Sequence, residues 1–125
     1  MSEATYEALW AEAHKAGLAA GQGKTPQPMT VYEADGLTDR PKPDGQSWYV
    51  PEGLCGFAWV KFAGNTGFGR WAKRTGRARK GYPSGLSVWV SEFGQSYERK
   101  LAYAQAFATV LRDGGVTAYA GGRLD

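Results

Sequence analysis

The sequence contains one cysteine, Cys55, and one histidine, His14. A lone cysteine excludes an internal disulfide and a cysteine metal cluster, and it favours a reducing compartment. A zinc site needs three or four ligands. With one cysteine and one histidine, such a site would have to be built almost wholly of carboxylates. We therefore interpret His14 as a partly exposed helix residue and Cys55 as a small apolar residue at a strand entry. We expect no metal, no cofactor and no enzymatic activity.

Long apolar runs are also missing. No stretch approaches the roughly 18 apolar residues that a membrane span needs. The N-terminal segment carries Glu3, Glu7 and Glu12 and has no apolar core of a secretory signal. The sequence therefore predicts a cytoplasmic protein without a membrane partner.

Acidic residues are absent from one long stretch. Residues 53–91 contain no Asp or Glu, whereas residues 1–52 contain eight acids and four bases. The net charge of +3 hides this asymmetry, which predicts a positive face on an otherwise acidic or neutral body. The cations of the stretch are Lys61, Arg70, Lys73, Arg74, Arg77, Arg79 and Lys80.

The chain is long enough to form a core, and we predict a single α+β (or α/β) domain over residues 1–125. It has about three helices on one small mixed sheet of three to five strands, with a βαβ unit at 86–120 and an exposed loop around 34–46. Strand order stays open. The predicted helices cover residues 2–20, about 66–75 and 97–112, with Ser2 or Thr5 as the cap of the first and Asn65 or Thr66 as the cap of the second. The predicted strands cover residues 29–33, 47–50, 57–62, 86–90 and 116–120.

The strand at 57–62 alternates Phe57 and Trp59 with Ala58, Val60 and Phe62, and both of its faces are predicted to be buried. The helix that follows could join two tryptophan-bearing strands in a second βαβ unit. A glycine-rich loop at 64–69 precedes it, without a nucleotide-binding signature. Its backbone N–H groups could hold a phosphate, and the alternative is a tight turn. Ser96 is interpreted as a helix cap rather than a ligand group.

The predicted contact surface lies on the same helix. Its cations recur at i, i+3, i+4 and i+7, which places them on one outward stripe, and like charges so placed cost a few tenths of a kcal/mol per pair. Aromatic residues beside them could stack on bases. The alternative is a solvated stripe with Trp59, Trp71 and Trp89 in the core. The predicted binding residues are Arg70, Lys73, Arg74, Arg77, Arg79, Lys80 and Tyr82.

Two strings carry a resemblance, Cys55-Gly56-Phe57-Ala58-Trp59-Val60 and Tyr119-Ala120-Gly121-Gly122-Arg123-Leu124-Asp125. They resemble small uncharacterised proteins encoded by bacteriophages and prophages. The resemblance implies a phage setting, in which small domains often bind host or viral macromolecules.

Together these observations predict a non-enzymatic phage-type binding protein. Its basic surface at 70–80 engages nucleic acid or an acidic patch of a host protein, including as an inhibitor of a host factor. The alternative is a small-ligand protein that binds an anionic nucleotide near 64–70 and the Tyr82 loop. A structural subunit is a third hypothesis, and the oligomeric state stays open.

Overall fold

The structure, a computed structural model, describes residues 2–32 and 45–125. It has an α+β fold, as predicted, with three helices and two antiparallel sheets. The predicted loop around 34–46 lies largely outside the described residues. The elements in chain order are α1 (Glu3–Gly23), β1 (Met29–Tyr32), β2 (Ser47–Val50), β3 (Gly56–Phe62), α2 (Gly67–Arg74), β4 (Arg79–Lys80), β5 (Leu86–Trp89), α3 (Tyr97–Asp113) and β6 (Ala118–Leu124).

Each helix begins at a hydroxyl residue whose side chain accepts a hydrogen bond from a backbone N–H of the first turn. Ser2 accepts from Thr5, Thr66 from Gly69 and Ser96 from Arg99. These contacts satisfy N–H groups that have no partner within the helix. The predicted helix starts are therefore confirmed. In the described ranges, none of the helices combines the length and the apolar composition needed to cross a bilayer.

The larger sheet has the strand order β4-β5-β3-β6, and every neighbouring pair in it is antiparallel rather than mixed. Because β5 and β6 both run antiparallel to β3, they are parallel to each other. The unit β5-α3-β6 is therefore a βαβ unit with β3 between its strands. The second predicted βαβ unit is wrong, since β3 and β5 are antiparallel neighbours joined through α2 and β4. The smaller sheet pairs β1 with β2.

The sheet is buried on one face. Ala58, Val60 and Phe62 of β3 are buried, whereas Phe57 and Trp59 between them are only half-buried. Helix α3 packs on β3 and β6, and Phe62 contacts Phe68 of α2 with ring centroids 5.1 Å apart. The prediction that both faces of this strand are buried is therefore wrong, because the helices lie on the Ala58 side.

Helices α1 and α3 pack tightly around Tyr103. A side chain at Gly17 would collide with the Tyr103 ring, so this glycine permits the close approach of the two helices. The Tyr103 hydroxyl and the Nδ1 atom of His14 form a hydrogen bond of 2.5 Å, and Glu92 lies 3.9 Å from the same nitrogen. His14 is half-buried and holds α1 against α3, which agrees with the structural interpretation of this residue.

Leu111 and Leu124 offer a matched test of the core. Leu111 of α3 is fully buried, whereas Leu124 at the end of β6 is 53 % exposed. We expect Leu111→Ala to lower the free energy of unfolding by about 2–5 kcal/mol, because a cavity remains in the core. Leu124→Ala should change it by only about 0.5 kcal/mol. Urea unfolding measures both, and equal effects would contradict the described core.

Tyr103 also predicts a pH dependence of stability. Burial raises the pKa of its hydroxyl above the ordinary value of about 10, and the negative charge of Glu92 adds to this effect. Above pH about 10 the unfolded chain releases this proton and the folded chain retains it. The contribution to stability is therefore complete below pH about 10 and is lost as the pH rises further.

Urea unfolding across this alkaline range tests the assignment. Tyr103→Phe should show a weaker decline in the free energy of unfolding above pH about 10 than the parent chain, because it removes the titrating group. Tyr82→Phe is the control, since Tyr82 is 90 % exposed. If both variants decline as steeply as the parent, Tyr103 is not responsible.

Candidate functional site

The outer face of the larger sheet carries large aromatic side chains. Trp59 of β3 lies directly opposite Trp89 of β5, and their ring centroids are 5.0 Å apart. Phe57 contacts the same Trp89 ring at 5.9 Å. Trp89 is 51 % exposed and Tyr119 of β6 is 58 % exposed. These four residues, Phe57, Trp59, Trp89 and Tyr119, are called the aromatic face below.

A glycine allows the Trp59 ring to lie on the neighbouring strand. Gly121 of β6 pairs with Trp59, and a side-chain carbon at Gly121 would stand 2.5 Å from the indole Nε1 atom. The ring therefore occupies the space above this glycine. Any larger residue at position 121 would collide with the indole, so Gly121 permits this position of the Trp59 ring.

The strands of this sheet bear positive charge and no acid. Within β3, β4, β5 and β6, all of which the structure describes, there is no Asp or Glu. The guanidinium carbon of Arg123 lies 5.5 Å from the centroid of the Phe57 ring, a distance typical of a cation–π contact. The sheet thus places cations among exposed rings. Its four cations are Lys61, Arg79, Lys80 and Arg123.

A cavity of about 400 Å³, called the face cavity below, opens on the aromatic face. It is large enough for a small organic ligand. Aromatic and cationic groups together form most of its wall, and the described part of its lining contains no carboxylate. The lining residues are Trp59, Lys61, Lys80, Gly81, Tyr82, Ser87, Trp89 and Arg123.

A second cavity of about 690 Å³, called the end cavity below, lies where β3 ends and β5 begins. Lys73 of α2 lines it together with Lys61 and Lys80, which also line the face cavity. Asn65 and Ser84 supply further polar groups. Among the described residues that line this cavity none is acidic. The two cavities therefore share two lysines, and three lysines surround the larger one.

The cations of α2 do not form one uniform stripe. Arg74 pairs with Glu3 of α1. Arg77 lies with its guanidinium carbon 4.5 Å from the centroid of the Trp71 ring and 4.0 Å, measured from Nη2, from Glu7. The predicted stripe of outward cations therefore does not hold for Arg74 and Arg77, because the acidic first turns of α1 lie beside α2.

The other cations of α2 have different surroundings. Arg70 is exposed and donates a hydrogen bond of 2.9 Å to the carbonyl oxygen of Asn65. Lys73 is exposed and lines the end cavity instead. Of the four predicted stripe residues, Lys73 is therefore the one that the fold brings to the cations of the sheet.

Arg79, Lys80 and Tyr82 lie at the edge of the sheet. Arg79 and Lys80 form the short strand β4, in which Arg79 pairs with Ser87 of β5. The loop that follows is attached to β3, because Lys61 donates a hydrogen bond from Nζ to the carbonyl oxygen of Tyr82. Tyr82 itself lines the face cavity. The fold thus brings Lys73, Lys80 and Tyr82 towards Lys61 and leaves Arg74 and Arg77 beside α1.

The glycines in the first turn of α2 have packing roles. A side chain at Gly69 would collide with the carbonyl oxygen of Ala63, and one at Gly67 would collide with the Tyr6 hydroxyl. The Gly69 N–H is already bonded to the Thr66 side chain at 2.9 Å. These contacts favour the tight-turn interpretation of the loop. Ser96 caps α3, as expected, and also donates to the carbonyl oxygen of Glu52 at 3.2 Å.

Cys55 is exposed and pairs through its backbone with Ser96. His14 contacts Tyr103 rather than Cys55. Within residues 2–32 and 45–125, no group of three His, Cys, Asp or Glu side chains comes together as a metal site would need.

Sequence reasoning raised the stacking of bases on aromatic residues beside the basic helix, but it did not place these residues on one face of the sheet, and it missed Arg123. The strand predicted at 116–120 continues to Leu124, so Arg123 belongs to the sheet rather than to a tail. One signal was present: Lys61 follows Phe57 and Trp59 at intervals of two, and a lysine on that side of a strand indicates a solvent-facing surface.

Comparison of the chain with known protein families, curated proteins and solved structures finds no match.

Proposed function

We propose that this protein is a non-enzymatic nucleic-acid-binding protein whose ligand lies over the end cavity and the face cavity. One observation supports this most directly: Lys61, Lys73 and Lys80 line a single cavity that has no carboxylate among its described lining residues. Like charges held close together repel unless an anion lies between them. A phosphate backbone supplies such anions at regular intervals.

The contrast with α2 supports the same location. Arg74 and Arg77 have carboxylates of α1 beside them, and these acids already offset much of their charge. The ammonium groups around the end cavity have only neutral polar neighbours among its described lining residues, namely Asn65, Ser84 and Thr117. A polyanion therefore gains more from the cavity lysines than from Arg74 and Arg77.

A charge-matched pair of variants tests this proposal. Lys73→Glu with Lys80→Glu reverses two cavity charges, and Lys15→Glu with Lys24→Glu makes the same net change on exposed residues of α1 and its C-terminal end. We expect the cavity variant to bind a labelled oligonucleotide roughly tenfold or more weakly, since each charged hydrogen bond contributes about 1.5–3 kcal/mol. Fluorescence anisotropy at several salt concentrations measures this.

Salt dependence gives the sharper readout. Each lost phosphate contact should reduce the slope of log K against log salt by about 0.7 for a single strand, or about 1.4 for two. The control variant should keep the parent slope. Equal affinities and slopes in the two variants would contradict the proposed location, and binding without salt dependence would contradict nucleic acid as the ligand.

An acidic protein surface is the other partner that these charges suit. A pull-down with the parent chain and the cavity variant, in lysate with and without nuclease, separates the two. A partner lost on nuclease treatment supports nucleic acid. A protein retained after nuclease treatment, and lost with the cavity variant, would replace nucleic acid as the ligand.

The size of the end cavity favours a second candidate function, the binding of a free anionic nucleotide near Gly64, Asn65 and the Tyr82 loop. A volume of about 690 Å³ is within the usual range of small-molecule sites. Nucleotide at a hundredfold its dissociation constant should stabilise the protein by about 2.7 kcal/mol, as seen in a thermal-shift experiment, and Lys73→Glu with Lys80→Glu should abolish the shift. A screen of nucleoside mono-, di- and triphosphates without any shift would exclude this function.

A further inference from the structure

We infer that the ligand is a single-stranded nucleic acid whose bases stack on the aromatic face, while its phosphates lie along the lysines. This inference rests on the proposed function and goes further, because the lysines alone do not distinguish a duplex from a single strand. In a duplex the flat sides of the bases are covered by their neighbours, and only a single strand offers them to a protein.

The first argument is the position of the rings. Trp89 and Tyr119 expose more than half of their surface, although tryptophan and tyrosine normally bury most of theirs in a core. The Trp59 ring lies above Gly121. Because this glycine has no side chain, the indole can stay close to the sheet. An indole held in this way presents a fixed surface to a planar ligand. Stacking of a base on this ring therefore costs little conformational entropy of the Trp59 side chain.

The second argument is the charge around the rings. Arg123 lies beside Phe57, and Lys61 pairs across the strands with Tyr119, so each side of the aromatic face has a cation. Base and phosphate alternate along a nucleic-acid strand, and on this sheet a ring lies opposite a cation in two pairs, Phe57 with Arg123 and Tyr119 with Lys61. The face cavity has a volume of about 400 Å³, and two indoles, the exposed Tyr82 ring and three cations line it. This combination suits one nucleotide unit of a longer strand.

The same charge argues against a second copy of the chain as the occupant. A two-fold symmetric contact places the same surface patch on both sides. The cations of β3, β4 and β6 would then face their own copies, and β3, β4, β5 and β6 contain no acid to separate them. An apolar contact between copies would therefore bring like charges together, whereas a polyanion neutralises them.

Binding of matched oligonucleotides tests the inference with the full chain. The probes are a labelled single strand of about 16 nucleotides, the upper site size of one small single-strand-binding domain, its duplex, and an abasic strand with the same phosphates. We expect the single strand to bind best and to quench tryptophan fluorescence, and the abasic strand to bind weakly. Trp89→Ala should weaken single-strand binding roughly 5- to 150-fold, with partial recovery in Trp89→Phe.

Tyr49→Ala is the matched control, since Tyr49 of β2 is 68 % exposed and lies on the smaller sheet. Circular dichroism confirms that each variant is folded, and Gly121→Val provides a second disturbance of the face through the Trp59 ring. Parent affinity for the single strand in Trp89→Ala and in Gly121→Val would overturn the inference. So would equal binding of single strand, duplex and abasic strand.

The two levels of the proposal fail in different ways. If no nucleic acid binds, the proposed function itself fails. If binding depends on Lys73 and Lys80 but is the same for duplex and abasic strand, the function holds and base stacking is wrong. If the protein binds vesicles of phosphatidylserine and phosphatidylcholine through Trp89 and binds no oligonucleotide, its ligand is a membrane surface and not a nucleic acid. Salt-independent dimerisation through Trp89 would replace it by a second copy.

Discussion

The one-sided covering of strand β3 is the constraint on which the other features depend. Ala58 and Val60 are fully buried beneath the helices, so the alternate residues must point away from them. Ladders to β5 and β6 fix β3 on both sides, and neither Phe57 nor Trp59 can turn inward without shifting the register by one residue. Burial of one side of β3 therefore creates the aromatic face on the other. An antiparallel sheet accommodates this, since it can face solvent on one side.

The distribution of charge follows from the same packing. Helix α1 lies on the inner side of the sheet next to α2, so its acidic first turns reach Arg74 and Arg77. Arg74 and Arg77 lie on the opposite side of the sheet from the aromatic face. The strands that carry the aromatic face contain no acid. Helix α1 thus offsets the charge of Arg74 and Arg77, and the sheet strands keep their positive charge. Exposed ion pairs such as Glu3 with Arg74 contribute only about 0–1 kcal/mol, so their main effect is on the electrostatic surface.

The sequence predicted the structural features that depend on residues close together in the chain. Ser96 was readable as a cap, and the caps of the other helices were narrowed to Ser2 or Thr5 and to Asn65 or Thr66, because a cap acts within one turn of its own helix. The cationic stretch was readable from the absence of acids. The pairing of Glu3 with Arg74 was not, because 71 positions separate the two residues and only packing brings them together. Alternation in β3 identified two sides, but the side that helices cover is decided by the whole fold.

The combination of groups, more than any one of them, supports the proposal of a nucleic-acid ligand. Arginine binds carboxylate and phosphate oxygens alike with its planar fork, and lysine binds either anion as a point charge, so the cations alone do not distinguish an acidic protein from a nucleic acid. The cations among the described lining residues of the two cavities are Lys61, Lys73, Lys80 and Arg123. An acidic protein would leave the indole surfaces without a partner, and an apolar partner would leave the lysines without one. A strand of nucleotides uses both, because each unit carries one flat base and one phosphate.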